Sequence, residues 1–288
     1  MTIISGAITS NLRHRDPPTG PTAWPNVDTW SLDTIPIEFN AATTDMVGCV
    51  WNDDGTRIYV TGDTGANSTL YHNSPDYTVP YVPEDDTSPT STNFNRGSAR
   101  AREIAWNGDG TALFTVNYSG NDVTKHANTG TAYNPTTDDI TATPSQTFSF
   151  SGILSLPRSI DISPDGTIMW VVSNATGRDI YEITMSTPFD LTTAAGGSEY
   201  EPTEGDMICM KFSPDGYKYY AMGLDRVLYE YTVSTQWDIS TSSYTGRSLD
   251  VTNSRTPICF DVSPDATKMI VGFFDTASAD TEFAHYTA

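Results

Sequence analysis

The chain has 288 residues, 37% of them hydrophobic, and a formal net charge of −21 with only 15 basic residues. So acidic a chain is a poor partner for nucleic acid, whose binding draws on Lys and Arg contacts to phosphate, and for an anionic membrane surface. No apolar run is long enough to cross a bilayer, and three cysteines without CxxC spacing suit neither a disulfide framework nor a zinc site.

The start, MTIISGAITSNLRHR, lacks the basic head and long apolar stretch of a secretory signal, so the expectation is a protein made in the cytoplasm. DPPTGPTAWP at 16–25 holds four prolines, which exclude a helix or an inner strand. Residues 1–28 therefore read as an extended arm, docking or disordered. Ile3, Ile4, Ile8, Leu12 and Trp24 are out of place in a purely solvated tail and mark the arm as a docking element.

From residue 29 the chain repeats. NDDG at 52–55, NGDG at 107–110, SPDG at 163–166 and 213–216, and SPDA at 263–266 recur every 50–56 residues. A period of that size marks a repeat architecture. Pro presets φ at the second turn position, Asp bonds its own backbone, and Gly accepts positive φ, so each turn joins two antiparallel strands. Ala266 replaces that Gly, and the last turn is expected to be strained or of another type.

Before each turn, apolar residues alternate on one strand face: Cys49 and Trp51, Ile104 and Trp106, Ile160 and Ile162, Met210 and Phe212, Phe260 and Val262. Cys49, Cys209 and Cys259 lie in these strands and read as buried free thiols. Second strands (RIYVTG, ALFTVN, IMWVVSN, KYYAMG, KMIVGFF) and third strands (STLYHN, DVTKHAN, DIYEITM, VLYEYTV, EFAHYTA) follow.

A fourth strand lies about 15 residues before each turn, at Phe39, Phe94, Phe150, Tyr200 and Val251. The last repeat ends after its third strand, so the strand near 33–40 must complete it. Such closure removes exposed edges and is the device of a β-propeller. The expected fold is all-β: a five-bladed β-propeller over 29–288, with four-stranded antiparallel blades at 46–95, 101–151, 156–201, 206–252, and 256–288 plus 33–40.

The chemistry is sparse. His72, His126 and His285 share one repeat position with Glu182 and Glu230, but equivalent third-strand positions lie on a wide circle and cannot converge on a metal. His14 lies in the arm. The innermost strands do converge, and Glu103, Asp161, Lys211 and Asp261 come from four of them. They form a candidate channel-mouth site for a cation or polar ligand, against the plainer reading of solvated charges. Long insertions at 73–90 and 127–144 part third from fourth strands. Tyr77 and Tyr81 in the first could stack on sugar rings or pin the loop. GxSxG, HExxH and Walker sequences are missing, and NDDGT and NGDGT lack the ligand pattern of an EF-hand. No catalytic residue, cofactor or metal is expected, and the chain reads as a protein that is not an enzyme.

Two stretches carry a resemblance. Ser163–Gly166 with Tyr181–Leu191 (YEITMSTPFDL) and Ser213–Gly216 with Tyr229–Ile239 (YEYTVSTQWDI) resemble a repeat of bacteriophage structural proteins, in which an SPDG turn is followed by an STPWD-type segment. The resemblance is strong in the third and fourth repeats and weak in the first two. It implies a virion protein, either a head decoration or a tail or baseplate component. Residues 1–28 would hold it to other virion proteins, and host surface glycans are a further implied partner. The alternatives are a lactonase-like or glycan-cleaving propeller enzyme with a cation at the channel mouth, and a lectin-like sugar-binding module.

Overall fold

The computed structural model describes residues 23–38, 45–52, 57–63, 67–72, 90–95, 101–135, 139–141, 143–175, 179–251, 256–274 and 281–288. The described residues form an all-β protein in a propeller-like arrangement of antiparallel sheets. Strand β1 (Ser31–Glu38) comes first. The first sheet follows with β2 (Asp45–Trp51), β3 (Ile58–Asp63), β4 (Asn67–His72) and β5 (Thr90–Asn95). The second holds β6 (Ala101–Trp106), β7 (Ala112–Asn117), β8 (Asp122–Ala127) and β9 (Gln146–Ser149). The third holds β10 (Pro157–Ile162), β11 (Ile168–Ser173), β12 (Ile180–Met185) and β13 (Ala194–Tyr200). The fourth holds β14 (Met207–Phe212), β15 (Lys218–Gly223), β16 (Val227–Val233) and β17 (Ser242–Asp250). In the fifth, β18 (Thr256–Val262), β19 (Lys268–Phe274) and β20 (Thr281–Thr287) are completed by β1.

Five four-stranded sheets thus arise, and β1 pairs antiparallel with β20 from Ser31↔Thr287 to Glu38↔Glu282. The first strands meet in cyclic order, β2 with β6, then β10, β14, β18 and β2 again. Apolar clusters fill the spaces between neighbouring sheets. Trp170 and Val172 of the third pack with Met210, Phe212, Tyr219 and Tyr231 of the fourth. Cys49 and Val60 of the first pack with Cys259 and Ile270 of the fifth. Period-two alternation makes this possible, because a strand buried on both faces gives one row of side chains to each neighbour. Truncating a side chain as buried as Trp170 would cost about 3–5 kcal/mol.

Of the expected fourth-strand positions, Phe39 lies outside the described residues, Phe94 is the last but one residue of β5, Tyr200 closes β13, and Phe150 and Val251 lie one residue past β9 and β17, fully buried. The edge strand begins at Ser31 rather than 33, and burial begins earlier still. Trp24, Val27 and Trp30 are in the core cluster with Tyr220, Phe260 and Tyr286.

All four described turns have one form. The N–H of Gly110, Gly166, Gly216 and Ala266 donates to the carbonyl three residues back, at 2.8–3.0 Å. The aspartate before each ties the turn: Asp165 Oδ1 accepts from Ser163 Oγ (2.7 Å) and from the Thr167 N–H (3.0 Å). Ala266 keeps this turn type at φ +56°, so the alternative of strain holds, worth about 1–2 kcal/mol for an L-residue. Above each glycine lies an aromatic ring, Tyr133 on Gly110, Phe189 on Gly166 and Trp237 on Gly216. The three ring-bearing residues themselves have positive φ, and each donates its N–H to the carbonyl of the glycine it covers.

Candidate functional site

The four innermost charged residues occupy two repeat positions. Glu103 stands six residues before its turn aspartate, and Asp161, Lys211 and Asp261 stand four before theirs. Period two puts both positions on one strand face, directed at the neighbouring inner strands. Glu103 and Lys211 are 1% and 3% exposed, Asp261 is 8%, and Asp161 is half-buried.

Each carboxylate is used across a seam between sheets. Glu103 Oε2 accepts the Ile160 N–H at 3.0 Å, joining the second sheet to the third. Asp161 Oδ2 accepts the Phe212 N–H at 2.8 Å, joining third to fourth. Asp261 Oδ2 accepts the Trp51 N–H at 2.7 Å, joining fifth to first. The two aspartates are repeat equivalents doing the same work, and each also accepts the N–H of its own next residue, Ile162 and Val262. Lys211 Nζ lies 3.3 Å from Glu103 Oε1 and donates to the Ile160 carbonyl at 2.9 Å. One buried lysine thus links three sheets. Cys209 Sγ is 3.5 Å from Glu103 Oε1, and Ser159 Oγ accepts the Met210 N–H at 3.3 Å.

Burial governs the electrostatics. It pushes Asp161 up to about 6 and Asp261 up to about 7, against Lys211 and the amide donors, which pull the other way. Burial by itself would depress the Lys211 ammonium; Glu103, Asp161 and Asp261 outweigh it and raise its pKa. Burial likewise lifts the thiols of Cys49 and Cys209, with Cys259 adding to the first and Glu103 to the second. All three cysteines are free and buried, as the sequence suggested.

The expectation of a channel-mouth ligand site is corrected by this geometry. The inner charged residues lie in the seams as clasps, their oxygens taken by backbone amides and Lys211. Among the described residues, no group of His, Cys, Asp and Glu is arranged to hold a metal ion.

The third-strand position also acts in the seams. Glu182 Oε2 accepts the Ile239 N–H at 3.2 Å, and Glu230 Oε2 accepts the Val27 N–H at 2.8 Å, each from the following sheet. His126 is held by the Thr141 carbonyl at 2.7 Å and Thr124 Oγ1 at 3.1 Å. Sequence reasoning missed this clasp. Sequence spacing gave no common signal, since Ile239 lies 57 residues after Glu182 while Val27 lies 203 residues before Glu230.

At the end of the ring opposite the turns, a polar network bridges the second and third sheets that no motif announced. The Arg102 guanidinium lies 4.8 Å above the Tyr118 ring, Asn174 Nδ2 donates to Tyr118 Oη at 3.1 Å, and Arg158 Nη1 donates to Asn174 Oδ1 at 3.4 Å. Of the other candidates, Tyr77, Tyr81, Ile3, Ile4, Ile8 and Leu12 lie outside the described residues. Trp24 is 5% exposed within the chain's own core, so its assignment to a partner-docking arm is corrected. No described helix is long and apolar enough to cross a membrane.

No protein-family model matches the chain, and no curated protein matches it. Among solved structures, it is similar to a "putative 6-phosphogluconolactonase" from Bacteroides fragilis NCTC 9343, with 13% identity, a TM-score of 0.48, and coverage of 84% of this chain and 62% of that one. A second "putative 6-phosphogluconolactonase", from Bacteroides uniformis ATCC 8492, gives 16% identity, a TM-score of 0.48, and coverage of 82% and 66%. The chain spans less than two thirds of the length of either. The expectation that it is not an enzyme is corrected on this finding, because its structural neighbours carry an enzyme's name. At this identity and TM-score, no activity passes from them to this chain.

Proposed function

We propose that the protein is a five-bladed propeller of a bacteriophage particle, joined to other virion proteins through its N-terminal residues and presenting its ring toward host surface glycans. One observation carries this reading. The S-T-x-aromatic-Asp segments at 186–190 and 234–238, on which the phage resemblance rests, are a built structural unit. In both, the aromatic ring covers the turn glycine. In both, the aspartate caps a short 3-10 helix, Leu191–Thr193 or Ile239–Thr241. A motif so tied to one three-dimensional device is more specific than the SPDG turn, which any hairpin could use. The test is immunogold electron microscopy of purified particles with an antibody raised against residues 29–288. Label over the head makes the protein a decoration, label on the tail or its tip makes it an adhesion component, and bare particles overturn the reading.

A second reading, a propeller hydrolase, draws on Asp161 and Asp261. Burial raises both toward neutral pH beside a buried lysine, and perturbed carboxyl groups of this kind gather at functional sites. It predicts turnover of a sugar lactone or a glycan that Asp261→Asn abolishes while the fold persists. Absence of turnover across a panel of both substrate classes removes it.

A further inference from the structure

The third and fourth sheets each contain a turn segment between their third and fourth strands. Its parts recur atom by atom. An extended capping residue, Asp190 or Asp238, begins a three-residue 3-10 helix. The threonine ending that helix donates both its N–H (3.0 and 3.1 Å) and its hydroxyl (2.9 and 2.8 Å) to the cap's carbonyl. The first helical residue, Leu191 or Ile239, is buried. Its N–H goes to a side chain of the preceding sheet, Gln146 at 3.0 Å or Glu182 at 3.2 Å.

In the fifth sheet the fourth strand is β1, so the segment that leads into it lies ahead of Ser31. Yet these parts are present at the other end of the sequence, without the side-chain cap that Asp190 and Asp238 give to Thr192 and Ser240. Asn26 is extended and begins the 3-10 helix Val27–Thr29. Thr29 donates its N–H (3.0 Å) and hydroxyl (2.7 Å) to the Asn26 carbonyl. Val27 is fully buried, and its N–H goes to Glu230 of the preceding sheet at 2.8 Å. The segment then enters β1, the fourth strand.

One difference is informative. In the third and fourth sheets the segment is covalently continuous with the third strand. In the fifth it is not, and additional bonds from the fourth sheet hold it. Lys218 Nζ donates to the carbonyls of Trp24 (3.1 Å) and Pro25 (3.2 Å) and to Asn26 Oδ1 (3.3 Å), and it lies 3.4 Å from Glu230 Oε2. Tyr220 Oη donates to the Pro25 carbonyl and accepts from Trp30 Nε1, and the Trp24 ring packs 4.9 Å from the Tyr220 ring.

We propose that residues 24–30 are the turn segment of the fifth repeat carried at the opposite end of the chain, a strap that locks the ring and delivers residues 1–22 to its turn end, at the seam of the fourth and fifth sheets. Lys218 lies just past the 213–216 turn, which fixes the end of the ring at which the strap starts. On the display reading, and resting on it, the turn end is then the end facing the particle.

The experiment compares the full chain with chains beginning at Ala23 and at Ser31. Removal of residues 1–22 is expected to leave Tm within about 2 °C. Removal of residues 1–30 is expected to lower it by roughly 10 °C or more, with loss of hydrogen-exchange protection along β20. Should the shorter chain fail to fold, Lys218→Gln in the full chain is expected to speed exchange at the Val27 amide while β14–β16 stay protected. Full stability in the chain from Ser31, or unchanged exchange at Val27, overturns the strap. For the exit point, a donor dye at Gly20→Cys is paired with an acceptor at Tyr217→Cys or at Gly120→Cys, on opposite ends of the ring. Stronger transfer to position 217 is expected, and stronger transfer to 120 overturns the assignment. Both measurements use isolated protein, so they fail or succeed independently of the particle labelling.

Discussion

The indole of Trp237 covers Gly216 so closely that a β-carbon at 216 would lie 2.3 Å from the ring, while Gly216 itself sits at φ +70°. Two independent constraints therefore demand glycine there. Gly216→Ala is expected to lower stability by about 2–4 kcal/mol, from the left-handed backbone and the steric overlap together. Ala266→Gly, at the equivalent turn, is expected to be neutral or to stabilise by up to about 1 kcal/mol, as strain relief competes with the entropy of a freer unfolded chain. Urea unfolding of the two variants checks both, and similar losses in each would refute the account.

Glu103 and Lys211 offer a second check. Glu103→Gln leaves a buried ammonium facing a neutral amide and is expected to cost roughly 3 kcal/mol or more. Lys211→Met alone leaves the carboxylate buried and should cost a similar amount. The double variant is expected to recover much of the loss, giving a large coupling energy in a double-mutant cycle. Additive losses would mean that the pair does not interact as its distance implies.

The pH dependence follows from the two seam aspartates. Burial raises them to about 6 and about 7, so the folded chain holds protons that the unfolded chain has released. Their contribution is fully present below the ordinary aspartate pKa and disappears as pH rises through 6 and 7, values that already include the opposing pull of Lys211. The turn aspartates act in the opposite sense. Burial is the largest single influence on Asp165 and Asp265 and raises them, but the hydroxyl and amide donors together outweigh it and lower both, so their stabilisation fades only as pH falls below the usual carboxylate range. Stability should be greatest near pH 5, and Asp261→Asn should flatten the decline between pH 5 and 8. A wild-type Tm that rises steadily from pH 5 to 8 would contradict this.

Thiol chemistry gives a rapid test of the seams. Cys49, Cys209 and Cys259 are 0–1% exposed, and burial pushes Cys49 and Cys209 well above the usual thiol range. A thiol-specific chromogenic disulfide should titrate none of them in the native protein and all three in denaturant. Fast native labelling of any one would mean that its seam opens readily.

Much of this fold could be read from the sequence, because its punctuation is chemical. A Ser-Pro-Asp-Gly turn has one good backbone solution, and the alternation before it fixes which face is buried. Closure by an N-terminal strand followed from counting strands. What escaped has physical reasons. Residues 24–30 match the Trp237 to Thr241 segment only loosely, and the prolines of 16–25 suggested an arm. Their identity appears when Glu230 receives the Val27 amide. Tyr133 serves as the ring over Gly110, but its repeat has no STPWD-type signature, so sequence comparison did not align it. The inner charges were placed on the right strand face. Period two cannot tell whether a carboxylate on that face meets solvent in a channel or an amide in the next strand.

The pairing of Ser31 with Thr287 has a mechanical corollary. At the fifth sheet's outer edge the start of β1 lies beside the end of β20, at one end of antiparallel strands. A pull applied between the termini would load that edge as a zipper, one hydrogen bond at a time, the weakest geometry a sheet can offer. Residues 24–30 intercept the load. Their bonds to Lys218, Tyr220 and Glu230 pass a tug on the leading segment sideways into the fourth sheet before β1 can begin to peel. A protein tethered by its first residues would hold under drag because its seam is shielded from the line of force.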